Sequence, residues 1–315
     1  MKSMNECINR IRIVSTGRYL PKRVMTNYDF EKIVDTSNEW IVSRTGIQQR
    51  RMADDESASD LAYQAAKIAI EKVGFDVKRI DLIICATITP DVVSPAVANL
   101  VQAKLGLNDQ PIMAFDVNAA CTGFIYALNV AAQMLNSGRY RCALVIGTET
   151  LSRVLDFSDR STCVLFGDGA GAMIIEATDE NKPAYFYARS EGDLEGVLVV
   201  DRYLRMNGKR VYQFAIKAMQ EAIEHILETM ALHPEDLAVI IPHQANIRII
   251  QSVAKTMGIM MDKFYTNIDR YGNTSAASVI IALDEYLEEH PEPDQRILLV
   301  AFGAGFTWGS ALITT

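Results

Sequence analysis

The chain contains two stretches with the same order of strand-like and helix-like segments, and this repeat limits its fold more than any other feature. In both stretches, apolar runs of strand length alternate with helical periodicity. The first series lies at 81–87, 95–105, 112–117, from about 121, and 142–149. The second lies at 236–241, 244–257, 264–269, from about 275, and 297–303. Such alternation predicts an α/β sheet covered by helices.

The two series keep a common register. Asp81 and Asp236 are 155 residues apart, as are Arg141 and Arg296. Chance similarity between two α/β halves is the alternative, but two anchors that share one offset favour an internal duplication. We therefore expect an N-terminal half at 1–178 and a C-terminal half at 179–315, joined by an irregular segment at 179–210. A crevice between the halves, where matching elements end, is the expected place for a site.

Composition excludes several classes of protein. The net charge is −8, from 31 basic and 39 acidic residues, and no long basic tract occurs, which disfavours nucleic-acid binding. No apolar run approaches the roughly 18 residues that a membrane span needs, and the N-terminus lacks the apolar stretch of a signal peptide. Five cysteines without framework or metal-site spacing argue against disulfides and against a metal centre. We expect a cytoplasmic protein with reduced thiols.

Cys121 is the strongest candidate nucleophile. It follows a strand-like run, opens an amphipathic helix and is flanked by small residues that leave room for a substrate. A helix N-terminus favours a thiolate. Cysteines are also common as inert small hydrophobes, a role that suits Cys85, Cys142 and Cys163 within their apolar runs. Cys7 has no distinguishing context.

His243 and Asn273 are the candidate partners of Cys121. His243 stands at the end of a strand-like run and just before a helix, where α/β proteins collect ligands. A lone histidine is more often a satisfied core residue. Asn273 could be only a turn residue or helix cap, but its loop occupies the place in the second half that Cys121 holds in the first.

Two glycine-rich stretches receive different interpretations. The run GDGAGA at 167–172 leads into a strand-like segment and not into a helix, so a phosphate-binding loop is rejected. The run AFGAGFTWGSAL at 301–312 lies between two strand-like segments and predicts a tight turn. A backbone N–H in that turn could face a developing oxyanion.

Four motifs in order, ACTGF, PHQANIRII, RYGNTSAAS and AFGAGFTWGSAL, strongly resemble the β-ketoacyl-acyl carrier protein synthase III enzymes, and the likeness runs nearly end to end. The resemblance implies a thiolase-like fold, with two duplicated halves in a five-layered α/β/α/β/α arrangement. It also implies a homodimer that condenses acyl-CoA with malonyl-acyl carrier protein and starts fatty-acid synthesis. The implied chemistry needs no cofactor and no metal.

The same resemblance assigns roles within the site. Cys121 would carry the acyl group, while His243 and Asn273 would hold the malonyl thioester carbonyl. The backbone N–H groups of Cys121 and Ala304 would form the oxyanion hole. Phe302 would cover the nucleophile.

The resemblance also implies residues for substrate binding. Trp40 and Arg160 would sandwich the adenine of coenzyme A, with Arg44 near its phosphates and Asn246 near the pantetheine arm. Arg248 and Lys255 would meet the acidic carrier protein. Gln213 and Thr256 replace further basic residues of known members, so docking is expected to differ from theirs in strength or geometry.

The acyl pocket departs from acetyl-selective members of the family. Ser94 occupies the position where those members have a phenylalanine that reaches into the partner subunit's acyl pocket. A small residue there predicts primers larger than acetyl.

Other functions compete with this prediction. A related thiolase-fold acyltransferase, or a condensing enzyme of secondary metabolism, would use the same cysteine. A Cys-His-Asn thiol hydrolase is disfavoured by the internal repeat. A binding protein without activity is disfavoured because three reactive positions fall at matched ends of the repeat.

Overall fold

The structure is a computed structural model that describes residues 9–180 and 182–315, so Cys7 lies outside the described residues. The strands are β1 Asn9–Tyr19, β2 Arg23–Thr26, β3 Gln49–Met52, β4 Leu82–Ala86, β5 Met113–Val117, β6 Cys142–Glu149, β7 Gly169–Ala177, β8 Pro183–Ser190, β9 Leu198–Val200, β10 Leu204–Met206, β11 Val239–Pro242, β12 Arg296–Gly303 and β13 Thr307–Thr314. The α-helices are α1 Asn27–Phe30, α2 Asn38–Thr45, α3 Ala58–Lys72, α4 Val97–Lys104, α5 Gly123–Asn136, α6 Gly208–Met230, α7 Ile247–Met257, α8 Ile268–Tyr271 and α9 Ser278–Glu289.

The main sheet shows the duplication directly. Its strand order is β11-β12-β13-β8-β1-β7-β6-β4-β5. In the N-terminal part, β4 runs parallel to β5 and β6, and β7 is antiparallel to β6 and β1. In the C-terminal part, β11 runs parallel to β12, and β13 is antiparallel to β12 and β8. The second pattern therefore repeats the first, with β8 in the place of β1.

The prediction of a strand at 264–269 is wrong. Where β5 pairs with β4 in the first half, the second half has only one parallel bridge among the described residues, from Ile240 to Phe264. The Gln244 side chain accounts for the difference. Its amide donates to the Tyr265 carbonyl at 3.2 Å and accepts from the Asn267 N–H at 3.1 Å. These are backbone groups that a continued strand would have paired with its neighbour. The short helix α8 follows at once.

The layers confirm the five-layered arrangement. Helices α3 and α4 pack on the outer face of the N-terminal part of the sheet. Helices α5 and α9 lie in the middle, against strands of both parts. Helices α6 and α7 cover the outer face of the C-terminal part. Only a narrow side of α5 is exposed. A helix buried in this way needs an apolar surface on its other sides, which explains its Ala and Leu residues.

The segment at 179–210 is less irregular than expected. It contains β8, which is the first strand of the second half, and the hairpin of β9 and β10. Among the described residues, no helix is both long enough and apolar enough to cross a membrane.

The repeat extends to single turns at the centre of the molecule. A 3-10 turn at Ala120–Thr122 leads into α5, and its counterpart at Ser275–Ala277 leads into α9. Ala120 and Ser275, which are 155 residues apart, both have φ of 48°. A Cβ at Gly123 would lie 3.4 Å from the Cβ of Ala276, so the two helix starts meet in the middle layer.

Candidate active site

One cavity lies where these two helix starts meet the ends of β11 and β12. Cys121, His243 and Asn273 all line it, as the sequence predicted for a shared site. Phe302, Ala304 and Asn246 line it as well. The remaining wall is largely apolar and consists of Ile88, Leu151, Leu165, Phe166, Leu198, Val200, Leu204, Met206, Val211 and Ile249. The cavity thus combines a few polar groups with a surface suited to an aliphatic chain.

The repeat places Asn273 opposite Cys121 through matched turns. Asn118 and Asn273 are 155 residues apart, and each accepts a hydrogen bond from the backbone N–H two residues later. The distance is 3.4 Å from Ala120 to Asn118 Oδ1 and 2.8 Å from Ser275 to Asn273 Oδ1. Because this bond occupies the Asn273 oxygen, the amide nitrogen is the group that remains to donate into the cavity.

The His243 imidazole is buried, hydrogen-bonded and uncharged. Its Nδ1 lies 2.6 Å from the Ser278 hydroxyl at the start of α9. Burial lowers the pKa of His243 to about 3. The imidazole is therefore neutral at physiological pH, and a hydrogen bond donated by Ser278 to Nδ1 would leave the proton on Nε2.

Burial of neutral His243 predicts a pH dependence of stability. In the unfolded chain a histidine takes up a proton below a pKa near 6.5, whereas folded His243 resists protonation until about pH 3. Stability contributed by this residue is thus present above pH 6.5 and falls as the pH drops towards 3. We expect His243→Asn to show a shallower fall in the free energy of unfolding between pH 6.5 and pH 4, measured by urea titration. Equal slopes in both proteins would contradict this prediction.

The prediction that the helix N-terminus lowers the pKa of the Cys121 thiol is wrong. Burial raises the pKa of Cys121 to about 12, the nearby Ser275 hydroxyl opposes this rise, and the charge of Glu149 adds to it. The cost of burying a thiolate here outweighs the favourable helix N-terminus. Cys121 is a protonated thiol at neutral pH, and a neighbouring group must accept its proton before it can attack.

Gly303 brings the end of β12 against the nucleophile. A Cβ at this position would lie 2.7 Å from the backbone nitrogen of Cys121, closer than real side chains allow. Thr307 then ties the turn to the Cys121 loop, because its hydroxyl donates to the Ala119 carbonyl at 3.0 Å. The glycine-rich run thus forms the predicted tight turn between β12 and β13, and Ala304 in this turn lines the same cavity as Cys121.

Phe302 lies beside both His243 and the cavity. It is buried, and its ring meets the imidazole edge to face, with 5.4 Å between the ring centroids. An apolar ring in this place keeps water away from His243.

The residues assigned to coenzyme A lie near the surface. Trp40 is exposed over about 38% of its area, and the Arg160 guanidinium lies 5.6 Å from the centroid of its ring. A base held between two planar groups needs about 7 Å, twice the contact distance of ~3.5 Å, so the pair would have to move apart. Arg44 is exposed, and its carbonyl accepts a hydrogen bond of 3.0 Å from the Asn246 amide. Asn246 is also the N-cap of α7, so both ends of its side chain already have protein partners.

The remaining assigned residues lie outside the cavity wall. Arg248 and Lys255 are exposed on α7, and their spacing of seven residues puts them on one face of the helix. Ser94 is exposed in the loop between β4 and α4.

Three polar residues that the sequence did not single out belong to the site. Ser278 orients His243, Ser275 lies beside Cys121, and Glu149 lies behind Ser275. The offset of 155 residues could have identified Ser275, because it is the counterpart of Ala120, next to the nucleophile. Among the described residues, no group of three or more His, Cys, Asp or Glu side chains is arranged to hold a metal ion.

Comparison with known proteins agrees with this geometry. Residues 115–192 match the family model of 3-oxoacyl-[acyl-carrier-protein] synthase III, and residues 227–315 match the model of its C-terminal part. A β-ketoacyl-[acyl-carrier-protein] synthase III of Acholeplasma laidlawii is 54% identical, over 96% of this chain and 98% of the relative. The enzyme of the same name from Clostridium acetobutylicum is 46% identical, over 97% and 99%.

Solved structures share the fold over nearly the whole chain. The crystal structure of 3-oxoacyl-[acyl-carrier-protein] synthase III from Aquifex aeolicus is 45% identical with a TM-score of 0.94, over 97% of this chain and 100% of the other. A priming β-ketosynthase of the R1128 polyketide pathway is 34% identical with a TM-score of 0.91, over 98% and 97%. Sequence identity along nearly the whole chain, the fold and the site together show that the chain belongs to the 3-oxoacyl-[acyl-carrier-protein] synthase III family.

Proposed function

We propose that this enzyme condenses an acyl-CoA primer with malonyl-acyl carrier protein and releases CO₂, which gives a β-ketoacyl-acyl carrier protein and starts fatty-acid synthesis. The observation that carries this proposal is the meeting of Cys121, His243 and Asn273 in one largely apolar cavity. A soft sulfur nucleophile suits transfer of an acyl group from a thioester, because a covalent intermediate divides one difficult step into two easier ones.

The two half-reactions use different parts of the cavity. In the first, Cys121 attacks the primer thioester, and the backbone N–H groups of Cys121 and Ala304 face the developing oxyanion. In the second, malonyl thioester loses CO₂, and its enolate oxygen accepts hydrogen bonds from His243 and from the Asn273 amide. The enolate carbon then attacks the acyl group on Cys121. This chemistry requires neither a metal nor a redox cofactor.

The proposal also includes the residues that contact the substrates, the oligomeric state and the cellular location. Trp40, Arg160, Arg44 and Asn246 would contact coenzyme A, and Arg248 and Lys255 would contact the carrier protein. The basic face of α7 supports this docking, since it stands out against a net charge of −8. We further propose a cytoplasmic homodimer, with the nucleophile in the half at 1–178 and both carbonyl-binding residues in the half at 179–315.

The reaction is tested by following two products together. Purified enzyme with acyl-CoA and labelled malonyl-acyl carrier protein is expected to release labelled CO₂ and to form β-ketoacyl-acyl carrier protein in equal amounts. A plain acyltransferase would consume acyl-CoA without release of CO₂, and that result would reject the proposal.

The similarity to a priming synthase of polyketide synthesis supports a second candidate function, in which the same reaction starts the synthesis of a secondary metabolite. Rates with carrier proteins of the two pathways distinguish these functions.

Primer length gives a separate prediction. Ser94 lies in an exposed loop beside Val93, which is fully exposed. If this loop enters the acyl pocket of a partner subunit, Ser94→Phe should lower acylation by primers longer than acetyl-CoA and spare acetyl-CoA itself. Intact-protein mass spectrometry after incubation with mixed acyl-CoAs measures the acyl groups added. Val93→Phe is the matched control, and an acyl pattern unchanged in Ser94→Phe would contradict the prediction.

A further inference from the structure

A buried carboxyl group lies behind the nucleophile and has no part in the reaction described above. Glu149 ends β6 and is fully buried. Its Oε2 accepts hydrogen bonds from the hydroxyl of Thr89 at 2.6 Å, the hydroxyl of Thr87 at 3.3 Å and the N–H of Ile88 at 3.2 Å. Its Oε1 makes no hydrogen bond of normal length and angle with the described residues, although the Ser275 hydroxyl and the Ala276 N–H lie close enough to stabilise the charged carboxylate. No Arg or Lys of the described ranges forms an ion pair with it, which is unusual for a buried acid.

Ser275 connects this carboxyl group to the nucleophile. It is buried, lines the cavity, and its hydroxyl stabilises the charged forms of both Cys121 and Glu149. Neither Ser275 Oγ nor Glu149 Oε1 makes a hydrogen bond of normal length and angle. Long or bent hydrogen bonds of this kind are common in catalytic groups without substrate and tighten when substrate binds.

Glu149 is also a stronger base than His243, a titratable side chain that lines the cavity with Cys121. Burial raises the pKa of Glu149 to about 7, and the bonds from Thr89 and Ile88 oppose this rise. Burial leaves His243 a much weaker base, with a pKa of about 3. The titratable groups that face Glu149 are Cys121 and, on β4, Cys85, whose pKa is itself raised by burial and by nearby carboxylates. A base with a pKa near the working pH is the most effective proton acceptor.

We propose that Glu149 and Ser275 form a proton relay for the Cys121 thiol, an inference that rests on the proposed acyl transfer. When Cys121 attacks the primer, its S–H bond breaks and the proton passes to Ser275 Oγ. The proton of the Ser275 hydroxyl passes at the same time to Glu149 Oε1. The sulfur forms its bond to the acyl carbon, and coenzyme A leaves as a thiolate that takes a proton from water.

The second half-reaction returns the proton. The enolate left by loss of CO₂ attacks the acyl group, the bond to Cys121 sulfur breaks, and the thiolate recovers the proton of Glu149 through Ser275. Glu149 thus stores one proton for the lifetime of the acyl-enzyme, and the cycle consumes one proton from water overall. The relay makes Glu149 a positioning residue, because it acts on the thiol only through Ser275.

The relay is tested by the pH dependence of Cys121 alkylation with iodoacetamide, followed by mass spectrometry. In the unmodified enzyme we expect the rate to rise through pH 7 and then to level off. In Glu149→Gln this rise should disappear, and the rate at pH 8 should fall about tenfold or more. Ser275→Ala should give the same loss, and Ala120 shows that alanine fits this backbone conformation, with the same φ of 48°. The double variant should be no slower than either single one, since both interrupt one path.

A purely electrostatic role of Glu149 predicts the opposite result. The charge of Glu149 raises the pKa of Cys121, so without a relay its removal would make the thiol react faster. Faster alkylation in Glu149→Gln, or additive losses in the double variant, would overturn the proposal. Glu176→Gln removes another largely buried carboxylate, one that is paired with Arg12 and Arg79, and should leave the alkylation profile unchanged.

Two further measurements distinguish loss of the relay from unfolding of the variant and from failure of the proposed function. Glu149→Gln should unfold at no lower temperature than the unmodified enzyme at pH 8, because it removes a buried unpaired charge. Alkylation needs no acyl-CoA or carrier protein. If the unmodified enzyme fails to accept any acyl group, the proposed function fails, while the alkylation profile still reports whether the relay exists.

Discussion

Cys121→Ser is expected to abolish formation of the acyl-enzyme and to lower condensation on the order of 10⁴-fold or more. Serine preserves the shape of the side chain but presents a hydroxyl, whose proton is far harder to remove than that of a thiol. The cavity already raises the pKa of the Cys121 thiol to about 12, so it provides no strong stabilisation for an alkoxide. Intact-protein mass spectrometry after incubation with acyl-CoA measures the acyl-enzyme, and product formation with malonyl-acyl carrier protein measures condensation.

Cys142→Ser is the matched control for this prediction. Cys142 is a buried thiol in β6, and burial also raises its pKa to about 12, but it does not line the cavity. This variant should accept the acyl group as the unmodified enzyme does, whatever its effect on stability. An acyl adduct that persists in Cys121→Ser would assign the nucleophile to another residue.

The internal repeat predicts that the two halves match at the centre of the fold, and there the match extends nearly to single residues. The offset of 155 residues relates Asn118 to Asn273 and Ala120 to Ser275, and the structure gives each pair the same backbone arrangement. It holds as far as the ends of β6 and β12. Beyond these strands the halves differ, because 19 residues separate β6 from β7 whereas a tight turn joins β12 to β13.

Features that depend on distant contacts could not be predicted from the sequence. The run at 264–269 has the composition of a strand, but the Gln244 side chain binds its backbone. The helix start at Cys121 predicts a low thiol pKa, but burial by other elements has the larger effect and opposite sign. The contact of Ser278 with His243 joins two residues that are 35 positions apart, and no local pattern indicates it.

The sequence could predict that the proposed catalytic residues lie together, but not where the proposed substrate-binding residues lie, and the reason is physical. Cys121, His243 and Asn273 stand at ends of repeated elements, so the sheet topology alone brings them together. Trp40, Arg160 and Arg44 lie on exposed segments that the repeat does not relate to the cavity. Their positions depend on loop packing, which follows no simple period.

Loss of His243 or Asn273 is expected to slow decarboxylation strongly while acylation of Cys121 continues. In the proposed reaction both side chains donate hydrogen bonds to the enolate oxygen, where negative charge develops only when malonyl thioester loses CO₂. Removal of one such donor typically costs about 10²–10³-fold in rate. We therefore expect His243→Ala and Asn273→Ala to show a loss of this size in the release of labelled CO₂. Mass spectrometry should show nearly unchanged acylation by acyl-CoA.

Asn273→Asp separates the donor function from the shape of the side chain. The Asn273 oxygen already accepts the Ser275 N–H at 2.8 Å, and a carboxylate can keep this bond. Its second oxygen would face the enolate with a negative charge in place of an N–H donor, so the loss should be at least as large as for alanine. Asn118→Asp is the matched control, since Asn118 makes the corresponding bond to Ala120 but does not line the cavity. Decarboxylation that survives in Asn273→Asp would show that the amide positions the loop without binding the enolate, and His243 alone would then carry the charge.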